Sequence, residues 1–159
     1  MASTNTVSTQ PGSVRFVVYG KPEPAGSKRY VPHRATGKPM VLDDNPASRE
    51  WKNTVKQYAA IAMRGRQPME GALLLQVVFY MPRPKSVSKA TRPAHVVKPD
   101  ALKLTRAIED AMSGLVYRDD AQITDEAIQK RYADTGEPRA EIAVTMLSGL
   151  HFDSFGPTE

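Results

Sequence analysis

The chain has 159 residues, no cysteine, three scattered histidines, and 22 Lys and Arg against 17 Asp and Glu, for a formal net charge of +5. That length suits one domain with a real hydrophobic core, and the missing cysteines exclude disulfides, thiolate zinc sites and cysteine nucleophiles. His33, His95 and His151 lack the i, i+4 spacing of a helical zinc pair, so a metal would be held by oxygen, which favours magnesium or manganese.

Met1 to Gly12 is polar with nothing apolar to bury and reads as a disordered tail. Val14 to Tyr19 (VRFVVY), rich in β-branched and aromatic residues, reads as a first strand ending at Gly20. Gly20 to Pro46, broken by glycines and prolines, is expected to be a loop with a short strand at Met40 to Leu42. Its Ser27-Lys28-Arg29-Tyr30 turn has the charges to meet a phosphate backbone and a ring to stack on a base. Asn45 is a good N-cap and Pro46 a good first-turn residue for a helix running to about Met63. Trp51, Val55, Ala59 and Met63 recur at i+4 and form its core-facing stripe.

Ala72 to Met81 (ALLLQVVFYM) is continuously apolar, as a central strand covered by helices on at least one side would be. Residues 82 to 98 follow with Arg83, Lys85, Lys89, Arg92 and Lys98 and no acid. This segment reads as a mobile basic loop, a DNA clamp if it borders an active site. Asp100 stands at the N-cap of a helix from about Ala101 to Ser113, closed by Gly114. At 100° per residue, Leu104, Ile108, Ala111 and Leu115 share one side, and Lys103, Arg106 and Asp110 the other.

Leu115 to Tyr117 suggests a short strand, and Ile123 to Tyr132 alternates imperfectly as another. Asp134 to Pro138 is a turn, and Ala140 to Leu147 alternates well enough to pair with the preceding strand in a hairpin. Ser148 to Glu159 reads as a loose tail in which Phe152 and Phe155 are the candidates for docking. No apolar run approaches the ~18 residues of a membrane helix, and the N-terminus lacks a secretory layout, so the protein is expected in the cytoplasm.

Asp100, Asp110, Asp119 and Asp120 fall within about two dozen residues. Like charges ~4 Å apart repel by about 4 kcal/mol at an effective dielectric of 20, and a bound dication reverses that sign. If the turn folds back to the helix start, Asp100 and Asp120 share Mg²⁺, with Asp119 or Asp110 orienting a neighbour. The ion would activate water for phosphodiester hydrolysis, and Arg106 or Lys103 would stabilise the charged transition state. Asx turns and helix capping explain the same aspartates without a site.

The segment Pro99-Asp100, Lys103-Leu104, Arg106, Asp110-Ala111-Met112, Gly114 and Asp119-Asp120-Ala121-Gln122-Ile123 resembles the RusA family of Holliday-junction resolvases. The resemblance implies a small α/β (α+β) fold, with a mixed sheet and about two main helices over residues 13 to 147. It further implies a homodimer and Mg²⁺-dependent cleavage of branched DNA, with Mn²⁺ a plausible substitute. By position, Asp100 and Asp120, with Asp119 beside them, look like metal-binding catalytic aspartates. Arg106 takes the place of a catalytic lysine, and Asp110 matches a further acidic position. Lys28, Arg29, Arg83, Lys85, Lys89, Arg92, Lys98 and Lys103 are the candidate DNA contacts. Arginine keeps the charge but does not transfer protons, which makes the role of Arg106 electrostatic. The second aspartate of the family's Asp-x-Asp pair falls at Leu102, which cannot ligate a metal. A resolvase, a structure-selective DNA-binding protein impaired by Leu102, and a nucleic-acid-associated scaffold remain the alternatives.

Overall fold

A computed structural model describes residues 12–26, 28–43 and 45–147. The two expected tails, the docking of Phe152 and Phe155, and Ser27 lie outside the described residues. Alternation in β1 (Ser13–Tyr19) buries Val14, Phe16 and Val18. At its end Gly20 has φ +129, and a Cβ there would meet the Trp51 ring at 3.4 Å. The turn thus needs glycine for its backbone angle, while the indole would only touch an added Cβ at ordinary contact distance.

The stretch expected to be mostly loop forms a hairpin instead, with β2 (Lys28–Pro32) antiparallel to β3 (Pro39–Asp43). Gly37 supplies a positive φ in its turn, and His33 N–H donates to Lys38 O at 2.9 Å. Backbone pairing supplies what the weak side-chain alternation did not advertise. Helix α1 (Pro46–Met63) begins where Asn45 Oδ1 accepts the Ala47 N–H at 3.0 Å and ends at Arg64, which adopts the left-handed conformation. Its stripe of Trp51, Val55, Ala59 and Met63 is buried as expected, while Ile61 points outward.

The main sheet has the order β1-β6-β4-β5, with β4 at Leu73–Met81, β5 at Ile123–Tyr132 and β6 at Arg139–Met146. Strand β6 is antiparallel to both β1 and β4, and β5 is parallel to β4. The sheet is therefore mixed. The hairpin expected between β5 and β6 does not form, because β4 lies between them. Burial explains the choice: β6 buries Ala140, Ile142, Ala143 and Val144 and needs neighbours on both sides, whereas β5 is largely half-exposed and serves as an edge.

Strand β4 buries Leu73, Leu75, Val77, Phe79 and Met81 on one face and leaves Leu74, Val78 and Tyr80 half-buried on the other. Helices cover one face, which meets the expectation of a central strand covered on at least one side. Helix α2 (Ala101–Met112) forms the crossover from β4 to the parallel β5 and packs beside α1. Leu104, Ala107, Ile108, Ala111 and Met112 are its buried face. The expected strand at Leu115 to Tyr117 is a turn that makes isolated bridges from Tyr117 to Met69 and Ser113. Among the described residues, no helix is long and apolar enough to cross a membrane.

Ile108 is fully buried in the core that joins helices and sheet. Ile108→Ala is expected to lower unfolding stability by about 2–5 kcal/mol through lost burial and a residual cavity. A urea melt with an unchanged slope would measure that loss directly.

Candidate active site

Asp100 occupies the N-cap of α2 in extended backbone geometry, yet its carboxylate makes no capping hydrogen bond. An N-cap aspartate ordinarily closes back on the first-turn amides; here the exposed carboxylate is left available at the positive end of the helix. A cleft of about 350 Å³ lies beside it. Lys21 to Pro24 form one wall, and Lys98, Pro99, Asp100 and Lys103 the other. Ala25 N–H donates to Lys103 O at 2.9 Å, joining the two walls, and Lys21 pairs with Glu23 at 3.0 Å. Neither Lys21 nor Glu23 stood out in the sequence, because only the return of this segment onto α2 brings them to Asp100.

Asp119 has a structural task. Its Oδ1 accepts the Ala121 N–H at 2.8 Å and caps a short 3₁₀ helix, Asp120–Gln122. Gln122 Oε1 accepts in return from the backbone of Arg118 and Asp119, while its amide donates to Met69 O and Gly71 O. This capping box fixes the turn that carries the half-buried Asp120. Asp110 is likewise engaged, with Oδ2 3.2 Å from Lys52 Nζ. Of the four aspartates, two are thus tied to the framework, and Asp100 and Asp120 are the better placed for chemistry.

The turn lies against the far end of α2 rather than at the helix start. Tyr117, buried, donates its hydroxyl to Glu109 O at 2.9 Å and holds the turn against the far end of α2. Glu109 lies about 13 Å along the axis from Asp100 at 1.5 Å per residue. Among the described residues, no group of three or more His, Asp or Glu is arranged to hold a metal ion. Leu102, which stands where the family pattern has its second aspartate, is 71% exposed.

Glu109 and Glu126 were not singled out from the sequence. Burial first, then a hydrogen bond with Glu126 and the charges of Glu126 and Asp120, push the Glu109 carboxyl up to about 7, against the opposing pull of Arg106. The exposed Arg106 therefore lies on the same carboxylate-bearing side as Glu109, one helical turn earlier. Its i, i+3 spacing to Glu109 was the available signal; Glu126 on β5 needed the tertiary fold. Burial first, then the charges of Glu109, Asp120 and Asp110, push the Tyr117 hydroxyl far up, so it stays protonated.

The basic residues divide in the same way. Arg83 Nε and Nη2 donate to the two Asp134 carboxylate oxygens at 2.6 and 3.0 Å, and Nη1 donates to Arg92 O at 2.6 Å and Ser88 O at 3.3 Å. Its guanidinium also lies 3.9 Å over the Tyr132 ring. Asp134 holds the Arg83 charge firmly and is itself pulled below the usual carboxylate range by that hydrogen bond. His95 packs edge-on to the same ring at 4.8 Å, and burial pulls its pKa down. The segment after β4 is therefore an anchored loop, and Arg83 is an internal clamp. Arg92 is half-buried with Nη1 3.5 Å from the Tyr132 hydroxyl, whereas Lys85, Lys89, Lys98 and Lys103 are exposed. Lys28 and Arg29 open β2.

An uncommitted aspartate among three lysines, on a mixed sheet packed by helices, suits an enzyme acting on a phosphate backbone. The comparison with known proteins makes the class specific: the chain belongs to the endodeoxyribonuclease RusA family, which it matches over residues 20–145. It is also 30% identical over 151 residues to the uncharacterized protein YqaN of Bacillus subtilis (strain 168), covering 85% of this chain and 97% of that protein. The protein is accordingly a nuclease of the DNA-acting kind.

The raised Glu109 pKa favours the folded state while the carboxyl is protonated in it. This stability is complete below the ordinary value of 4.5 and is lost as pH rises through about 7. In metal-free buffer, Glu109→Gln should therefore match the wild type near pH 5 and exceed it by about 1 kcal/mol at pH 8, after allowance for partial solvent screening. Thermal melts would show this as roughly a 3 °C gain confined to the alkaline side.

Proposed function

We propose that the protein is a divalent-cation-dependent endonuclease that cleaves four-way and related branched DNA by phosphodiester hydrolysis. It works in recombination and repair, in the cytoplasm of a bacterial or phage-infected cell. The observation that carries this reading is the exposed, non-capping carboxylate of Asp100 beside a lysine-lined cleft, in a chain of the RusA family. A homodimer suits the reading, since symmetric incision of a junction requires two equivalent sites.

A hard cation would be held at Asp100 or at Asp120, which stand toward opposite ends of α2 and each offer carboxylate oxygens, with one Asp119 oxygen committed to the turn. Magnesium commonly takes only one or two protein carboxylates and completes its shell with water and substrate phosphate. Such an ion, Mg²⁺ or Mn²⁺, would lower the pKa of bound water and neutralise charge on the phosphate. Asp119 holds the turn that presents Asp120, and Asp110 ties α2 to α1 through Lys52. Arg106 contributes a permanent positive charge to the developing phosphorane and transfers no proton. Lys85, Lys89, Lys98 and Lys103, with Lys28, Arg29 and Arg92, supply the electrostatic attraction for the DNA backbone.

Purified protein with a synthetic four-way junction and Mg²⁺ or Mn²⁺ is expected to give paired nicks. Asp120→Asn should lower cleavage at least ~100-fold while junction affinity in EDTA is kept or strengthened, because a negative charge near the phosphates is gone. Tight binding by the wild type with no nicking in either metal would replace the enzyme reading with that of an impaired junction-binding protein. Recovery of cleavage by Leu102→Asp would then identify the exposed leucine as the cause.

A further inference from the structure

Lys130 sits on edge strand β5, opposite Phe79 of β4, and is only half-exposed. Its Nζ donates to Val97 O and to Pro99 O, each at 2.8 Å. These carbonyls flank Lys98, and the second belongs to the residue immediately before Asp100. The other end of the same loop is gripped by Arg83, which holds the carbonyls of Ser88 and Arg92. Two internal cations thus tie down the long connection from β4 to α2, and the second acts directly beside the helix start.

From this geometry we infer that Lys130 is the positioning residue for Asp100: its ammonium draws two carbonyls together and thereby sets where the Asp100 carboxylate stands relative to the cleft. A cationic donor to a neutral carbonyl makes a stronger, shorter bond than a neutral pair. A lysine is suited to the task because its three rotatable donors can serve two carbonyls that diverge. The carbonyls lie at the protein surface, where water replaces a lost partner, so removing the lysine loosens the loop without emptying the core. With its ammonium occupied by Val97 and Pro99, Lys130 acts on the reaction through Asp100 and is not itself a phosphate contact.

The inference rests on the nuclease reading above, and the test separates the two. Lys130→Met and Lys130→Arg are compared with the wild type for junction cleavage, metal dependence and DNA affinity. Lys130→Met should lower cleavage at saturating DNA by about 10- to 100-fold, the range that small misplacements of a reacting group produce. It should also raise the Mg²⁺ concentration for half-maximal rate about tenfold, while DNA affinity in EDTA and its salt dependence stay as in the wild type. Lys130→Arg, which keeps a cation and several donors, should recover most of the rate. Hydrogen exchange of residues 96–104 should accelerate in Lys130→Met and remain unchanged in the strands.

An unchanged exchange pattern would overturn the inference whether or not the wild type cleaves DNA, so this measurement stands even if the nuclease reading fails. Weaker DNA binding with a salt slope reduced by about one, at unchanged metal dependence, would show Lys130 to be a phosphate contact and would equally overturn it.

Discussion

The structure depends on the burial of one face of β4. Leu73, Leu75, Val77, Phe79 and Met81 form a continuous apolar row, and α1 and α2 supply matching rows from Trp51 to Met63 and from Leu104 to Met112. Because β4 also holds β6 on one edge and β5 on the other, it fixes the frame on which α2 and the Asp119–Asp120 turn are carried. The parallel pairing with β5 requires a crossover. That crossover is the basic loop and α2, which place Asp100 at the start of the helix and the Asp119–Asp120 turn beyond its end.

Within this frame the charged residues serve two purposes that a sequence does not separate. Asp119 caps a turn, Asp110 pairs with Lys52, and Asp134 pairs with Arg83. Asp110 and Asp134 meet a cation, and Asp119 a backbone amide, within the protein itself. Asp100 differs in holding an N-cap position without performing the capping. Glu109 and Glu126 differ again, being close enough, and Glu109 dehydrated enough, that a proton is retained near neutrality. A pair of this kind opposes stability at high pH, and its placement beside Asp120 and Arg106 ties the electrostatics of the turn to those of α2.

The basic segment has a similar double character. Arg83 and Lys130 turn back on the chain and hold backbone carbonyls, while Lys85, Lys89 and Lys98 remain exposed between these two anchors. An anchored loop presents its exposed lysines at fixed positions, which lowers the ordering cost of gripping a polyanion. The Tyr132 ring joins the clamp from below, stacked by Arg83 and met edge-on by His95.

Much of this was legible in the amino-acid sequence, for local reasons. Apolar alternation marks β1, the i+4 stripe and Asn45-Pro46 mark α1, and Asp100 followed by the Leu104, Ile108 and Ala111 stripe marks α2. The spacing from Pro99 to Ile123 carries the family. What the sequence did not decide depends on contacts between distant segments. The alternation of β5 and β6 is compatible with a hairpin, and only the need of β6 for two neighbours puts β4 between them. Pairing through the backbone made β2, whose side chains carry no clear period. Leu102 was visible as a gap at once, but the separation of Asp100 from the Asp120 turn, the approach of Glu126 to Glu109 and the grip of Lys130 on Pro99 required the packed fold. Hydrophobic period and capping are properties of neighbours along a chain, whereas the sharing of protons and the choice of partner for each charge are properties of distance in space.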